Sequence, residues 1–204
     1  MRIISGTAKG LRLAAPPGKS NGIIRPTSDR CREALFSILG ARINDARVLD
    51  LYAGTGAFGL EALSRGARSV VLVDNSPVAL TLLRKNVALL RHSFHSASSA
   101  FPGVSIRRGD VRRGIDAILA GAQKIETVFD IIFLDPPYGK NLAQATLVDL
   151  DGGSFLAEDG LIVAEERSKV VLSRHFEHLS CTDTRTYGDT GFWLYRQTSS
   201  TESS

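Results

Sequence analysis

Apolar residues along this chain change their period again and again. Short runs rich in Val, Ile and Leu occur at Val48 to Tyr52, Val70 to Val73, Val104 to Arg108, Phe129 to Leu134 and Leu161 to Glu165. Their length and β-branched content predict buried strands. Between them, helical spacing predicts helices at Phe58 to Ser64, Pro77 to Arg91, Gly114 to Ala120 and Asn141 to Leu150, with Ser76-Pro77 opening the long one. A Ser/Ala-rich loop is expected from Ser93 to Ala100. Ahead of this alternation, residues 2–14 read as two short strands with a turn at Gly10, and Pro16 to Gly22 as a loop. Arg25-Pro26-Thr27-Ser28 then leads into a helix, with Ser28 as N-cap and Asp29 in the first turn. Ala34, Leu35, Ile38 and Leu39 form its apolar stripe, and Cys31, one turn before Leu35, is expected to face the core. At the far end, Leu179 to Tyr187 and Phe192 to Arg196 read as strands joined by Gly188-Asp189-Thr190-Gly191, a hairpin signal. Alternation followed by a hairpin predicts an α/β fold. The sheet should be Rossmann-like, doubly wound, mostly parallel and seven-stranded, with a C-terminal antiparallel hairpin and a small N-terminal β-hairpin and helix extension. The expected division is a leader at 1–46, a core at 47–197 and a disordered tail at 198–204.

The loop after the first core strand runs Asp50-Leu51-Tyr52-Ala53-Gly54-Thr55-Gly56-Ala57-Phe58-Gly59. Gly54, Gly56 and Gly59 have the G-x-G-x-x-G spacing, and Asp74 ends the next strand twenty residues after Gly54. In this strand-to-helix setting the pattern is a nucleoside-cofactor fingerprint. A tight turn alone explains one glycine, but not three and an acid. The cofactor's identity follows from sign. A diphosphate would be repelled by Asp50, whereas the ammonium and sulfonium of S-adenosylmethionine would be attracted. Asp110, after the third strand, suits an adenine amine or a helix N-cap.

Asp135-Pro136-Pro137-Tyr138 follows the fourth core strand. Proline cannot donate to a sheet ladder and restricts the residue before it, so the strand stops in a stiff corner. That corner offers a carboxylate, a carbonyl and an aromatic face. In an open α/β sheet, Asp50, Asp74, Asp110 and Asp135 share one rim, where ligands bind. The simpler alternative is an Asp-Pro turn beside a surface Tyr.

The chain has 204 residues, 43% hydrophobic and 23% charged, as expected of one ordinary globular unit. No apolar stretch has membrane-spanning length, no secretory signal is apparent, and Cys31 and Cys181 fit reduced thiols, so a cytoplasmic location is expected. The net charge of +4 is unevenly spread. Residues 1–47 hold nine Lys or Arg (Arg2, Lys9, Arg12, Lys19, Arg25, Arg30, Arg32, Arg42, Arg47) and three acids, a balance of +6. The remainder is −2. A basic leader suggests a nucleic-acid partner; a solvated basic surface is the alternative.

These residues resemble the RsmD-type 16S rRNA guanine-N(2) methyltransferases over roughly Arg2 to Arg196. The resemblance is carried by Arg2-Ile3-Ile4 with Gly6 and Lys9-Gly10, and by Arg25-Pro26-Thr27-Ser28-Asp29-Arg30 with Arg32-Glu33 and Leu35-Phe36. It is also carried by the glycine loop through Leu60-Glu61-Ala62-Leu63-Ser64-Arg65-Gly66-Ala67, and by Asp135-Pro136-Pro137-Tyr138. Ser5, Ala8 and Tyr52 depart from that family's usual residues. The resemblance implies that S-adenosylmethionine methylates the exocyclic amine of a guanine in 16S rRNA, within a partly assembled small subunit. It implies catalytic roles for Asp135, Pro136, Pro137 and Tyr138, and cofactor contacts at Asp50, Tyr52, Gly54, Gly56, Asp74 and Asp110. Arg2, Lys9, Arg12, Arg25, Thr27 and Arg30 would meet RNA, and no metal is expected.

Rival readings are a DNA adenine methyltransferase, a protein-glutamine methyltransferase, a nicotinamide oxidoreductase and a non-catalytic RNA-binding module. The short leader leaves no room for a DNA target-recognition domain, and the basic charge disfavours a protein substrate. An oxidoreductase leaves Asp50 and the proline corner unexplained. His92 and His95, and His175 and His178, have i, i+3 spacing but no third ligand nearby. Glu165-Glu166 ends a core strand and could line the rim near the target, though a solvated acidic pair is the stronger expectation, and Trp193 is expected as core of the terminal hairpin.

Overall fold

The computed structural model describes residues 1–16, 29–120 and 127–198. The loop expected beyond Pro16, Arg25, Thr27, the Ser28 cap and the tail from residue 199 lie outside the described residues.

The chain forms α1 (Asp29–Leu39), β1 (Arg47–Leu51), α2 (Ala57–Ser64), β2 (Ser69–Asp74), α3 (Pro77–Ser96), β3 (Gly103–Arg108), α4 (Ile115–Leu119) and β4 (Phe129–Leu134). It continues with α5 (Leu142–Asp151), β5 (Leu156–Arg167), β6 (Leu179–Tyr187) and β7 (Thr190–Gln197). The seven strands lie in the order β3-β2-β1-β4-β5-β7-β6, and only β7 runs antiparallel to its neighbours. The Rossmann-like sheet with its C-terminal hairpin is therefore as expected.

Strand alternation builds two cores. Val48, Val70, Leu72, Ile131, Phe133 and Val163 face α2 and α3, whereas Leu49, Leu51, Val71, Val73, Ile132 and Leu134 face α4 and α5. Burial on both faces accounts for the continuous apolar runs of the parallel strands. Trp193 is buried in the second core, as expected.

Several elements differ from expectation. The leader's two strands reduce to one antiparallel bridge, Arg2 with Arg12. The reason is competition: Ile4 and Ser5 N–H groups donate to Glu61, and Thr7 and Ala8 N–H groups to Ser64, all on α2. Gly6 lets this segment lie flat on α2; a Cβ there would stand 1.7 Å from Ser64 O. The leader is thus part of the first core, where Ile3, Ala8, Leu13, Leu35 and Phe36 join Leu60 and Leu63. Helix α3 runs to Ser96, into the first part of the expected Ser/Ala-rich loop, because Phe94 is buried and meets Phe101 edge-on at 5.6 Å. Strand β5 begins at Leu156, not Leu161, since Phe129 pairs with Leu156 across a bulge. Exposed Glu158 and Asp159 masked that extension in the sequence.

Candidate active site

The sheet reverses its winding between β1 and β4, which are neighbours although β1 leads outward and β4 returns. Crevices at such switch points take ligands at the carboxyl ends of the strands. Register fixes what meets there. Leu51 pairs with both Val73 and Leu134, so Tyr52 lies beside Asp74 and Asp135. Leu134 pairs with Ala164, which brings Asp135 next to Glu165. Asp74 pairs with Arg108, two residues before Asp110.

The glycine loop is shaped by its surroundings. Gly54 and Gly56 have φ of 58° and 80°, the left-handed region that glycine enters without strain. Tyr52 adopts φ 64° despite its side chain, a strained conformation for a non-glycine residue. Its hydroxyl and that of Thr146 share a 2.8 Å hydrogen bond, and burial raises its pKa. The Asp74 carboxylate accepts Gly54 N–H and Ser76 N–H, each at 2.8 Å, and so joins the loop to the start of α3. Gly59 is needed for packing: a Cβ would meet Leu72 Cδ2 at 2.5 Å.

Asp50 lies beneath the loop rather than on the open rim, only 2% exposed. It accepts Gly59 N–H at 3.0 Å, a donor in the first turn of α2. Burial, with Asp74 adding repulsion, pushes its pKa up to about 8 against the pull of that hydrogen bond. Asp110 caps the 3-10 turn Val111–Arg113 and pairs with the Arg112 guanidinium, which lowers its pKa to about 2.

At the corner, Asp135 and Tyr138 are half-buried, Pro136 is buried and Pro137 exposed. Tyr138 donates to Glu165 Oε1 at 3.1 Å, and the Arg167 guanidinium lies 5.6 Å from its ring centroid. Burial, then the charges of Glu165 and Asp135, raise the Tyr138 pKa. Glu165 and Glu166 correct an expectation. They are 2% and 3% exposed rather than a solvated pair, because β5 is covered on both sides. The hydrogen bond from Tyr138 makes Glu165 part of the corner.

Leader residues Arg2, Lys9 and Arg30 line one concavity of about 260 Å³ with Asp29 and Glu33, and exposed Arg12 lies across the bridge from Arg2. Other cations among residues 1–47 point elsewhere, Arg42 to Asp159 O among them. Arg47 forms a bidentate pair with Asp130, and Arg32 is 2% exposed, donating to Arg2 O and Asp29. Met1 Sδ lies 4.0 Å from Thr55 Oγ1, so the leader begins against the glycine loop.

Sequence reasoning did not single out Glu61 or Asn86. Both are wholly buried, and both bind leader backbone. The signal was present: each is a polar residue inside an otherwise apolar helical stripe, which calls for a buried partner. Among the described residues, no cluster of three or more His, Cys, Asp or Glu has metal-binding geometry, and no helix is long and apolar enough to cross a membrane.

Comparison with known proteins agrees with this architecture. YlbH of Bacillus subtilis (strain 168), a candidate rRNA methyltransferase, is 38% identical over 97% of this chain and 99% of its own. Ribosomal RNA small subunit methyltransferase D of Escherichia coli (strain K12) is 31% identical over 100% of this chain and 93% of its own. The solved structure of yhhF from Escherichia coli, a candidate methyltransferase, superposes with a TM-score of 0.76 at 32% identity, covering 97% of each chain. The family model described as Conserved hypothetical protein 95 matches residues 1–196. With a switch-point glycine loop, a row of strand-end acids and an acidic proline corner in one sheet, the chain belongs to that family, the RsmD-type ribosomal RNA methyltransferases.

Proposed function

We propose that this protein transfers a methyl group from S-adenosylmethionine to the exocyclic N2 amine of a guanine in small-subunit rRNA. The observation that carries the reading is the register at the switch point, where Leu134, the residue before Asp135, pairs with Leu51 at the end of the glycine-loop strand. The residues fit this cofactor. The bare backbone at Gly54 admits a close ligand, Gly56 lets the loop pack on Leu60 and Leu83, Asp74 would hold ribose hydroxyls, and Asp110 suits the adenine amine. Asp50 provides a buried acid short of a counter-charge, which an amino-acid cation would supply. When bound, the cofactor supplies a sulfonium-activated methyl group.

The corner acts on the base. Asp135 and the Pro136 carbonyl accept the two hydrogens of the amine, which favours a pyramidal nitrogen with its lone pair free. Asp135 also balances the positive charge that develops on that nitrogen. Tyr138, held by Glu165, stacks on the base, a contact worth about 1–3 kcal/mol. The target base is unpaired or flipped out of its stack. Residues 1–46 serve as the RNA-binding part and 47–197 as the catalytic part. Arg2, Lys9, Arg12 and Arg30, with Arg25 and Thr27, meet the RNA backbone. The relatives' action on ribosomal RNA supports this substrate class.

The test is incubation with methyl-labelled S-adenosylmethionine and naked small-subunit rRNA, partly assembled small subunits or duplex DNA, followed by nucleoside analysis. Label on guanosine N2 from the RNA samples is the expected result. Label on adenine from DNA would replace this reading with the DNA enzyme.

Asp50 gives the reading a pH signature. A cation favours the ionised carboxyl, so cofactor binding lowers the Asp50 pKa from about 8. At pH 7, calorimetry in buffers of different ionisation heat should show release of about one proton on binding. Asp50→Asn, which keeps the acceptor for Gly59 N–H, should release none. Equal proton release by both proteins would separate Asp50 from the cofactor.

A further inference from the structure

Asn86 lies within α3, wholly buried. Its Oδ1 accepts Ala14 N–H at 2.7 Å, and its Nδ2 donates to Ala14 O at 3.1 Å and Thr55 O at 2.8 Å. Burying an amide is costly unless its donors and acceptor are matched, and here they are matched by two backbones. The backbones belong to different parts of the protein. Ala14 follows the bridge that joins Arg2 and Arg12 in the basic leader. Thr55 stands between the two left-handed glycines of the loop. Glycine does not hold itself in that region, so the loop depends on outside hydrogen bonds. Among those bonds are Gly54 N–H to Asp74, Ala53 N–H to Val73 O, Asn86 Nδ2 to Thr55 O, and the long contact of Thr55 Oγ1 with Met1 Sδ. Glu61 also holds the leader, through Ile4 and Ser5, but from α2.

We infer that Asn86 is a positioning residue joining the leader and the glycine loop into one mechanical unit, so that filling the cofactor site stiffens the surface offered to RNA. This rests on the methyltransferase reading above. A ligand that orders Thr55 fixes the Asn86 side chain, and that amide in turn fixes Ala14. Coupling of binding between two sites is reciprocal, so RNA on the leader tightens the cofactor by the same factor.

The experiment is amide hydrogen exchange on the full chain with and without saturating S-adenosylhomocysteine, with binding checked by calorimetry. In the unmodified protein, amides of residues 3–14 should exchange about fivefold or more slowly with the ligand, the lower end of coupling between sites. Asn86→Ala should bind the ligand and lose this slowing. Ala14→Pro changes the leader alone: it removes the N–H that Oδ1 accepts and puts a ring carbon against that oxygen, so the leader is pushed off Asn86 and this variant should lose the slowing too. It carries the test alone if Asn86→Ala does not fold. Ligand binding without slowing of the leader, or equal slowing in a variant, overturns the coupling while the methyltransferase reading stands. A protein that does not bind S-adenosylhomocysteine at all ends both.

Discussion

Asp135→Ala is expected to lower turnover by about 10²–10³-fold, the usual loss when a group aimed at developing charge is removed, while S-adenosylhomocysteine still binds. The two effects separate because the loop and the corner are built from different bonds. Gly54 is held by Asp74 and Thr55 by Asn86, and neither contact involves Asp135. Asp135 lies one residue past the last β4 pair, on a stretch that Pro136 and Pro137 keep out of the ladder. Its loss leaves the sheet intact and removes an acceptor for the amine. Asp135→Asn keeps an acceptor without the charge and should recover part of the activity. The share recovered measures positioning against charge. Single-turnover assays with labelled cofactor make the comparison, and an Ala variant as active as the parent would take the corner out of the chemistry.

The largest effect on stability is expected at Glu61, where Glu61→Leu should cost about 3–5 kcal/mol, the range for breaking a buried ion pair from one side. Glu61 accepts Ile4 N–H at 2.7 Å, Ser5 N–H at 3.0 Å and Arg65 Nε at 2.7 Å, and lies 4.0 Å from Arg32 Nε. Nε and Nη1 of buried Arg32 have no hydrogen-bond partner. Without the carboxylate, two backbone donors stay buried and unmatched, and the buried Arg32 guanidinium keeps only the Arg2 O and Asp29 contacts of its Nη2. At about 2–4 °C per kcal/mol for a chain of this size, the melting temperature should fall by roughly 10 °C. Adding Arg32→Met should restore part of the loss, because the stranded charge goes with it. A single-variant loss under about 1 kcal/mol would mean that water or rearrangement already serves these groups.

What the sequence revealed, and what it hid, follows from where each residue's partners lie. Asp74, Asp110 and Asp135 were readable because each stands at or just past the end of an apolar run, and strand ends of a parallel sheet share one edge. The glycine loop was readable because its geometry is local. Asp50 shows the limit: its place under the loop depends on the Gly59 N–H, nine residues on, donating to its carboxylate. Arg32 counted as surface charge until α1 packed it against a residue 29 positions away in α2. The anchoring of the short leader hairpin on α2 was hidden because alternation does not say whether a backbone N–H will find a strand or a side chain. Asn86 meets Ala14 across 72 residues, and no window of sequence spans that contact.

Trp193 is the chain's one tryptophan, buried in β7 and paired across the sheet with Ala164, one residue before Glu165. Residues 1–46 contain neither Trp nor Tyr. Tryptophan emission therefore watches the antiparallel edge and does not watch the leader on α2. A melt followed by that emission alone would score a protein with a detached leader as native, so exchange or proteolysis has to accompany it.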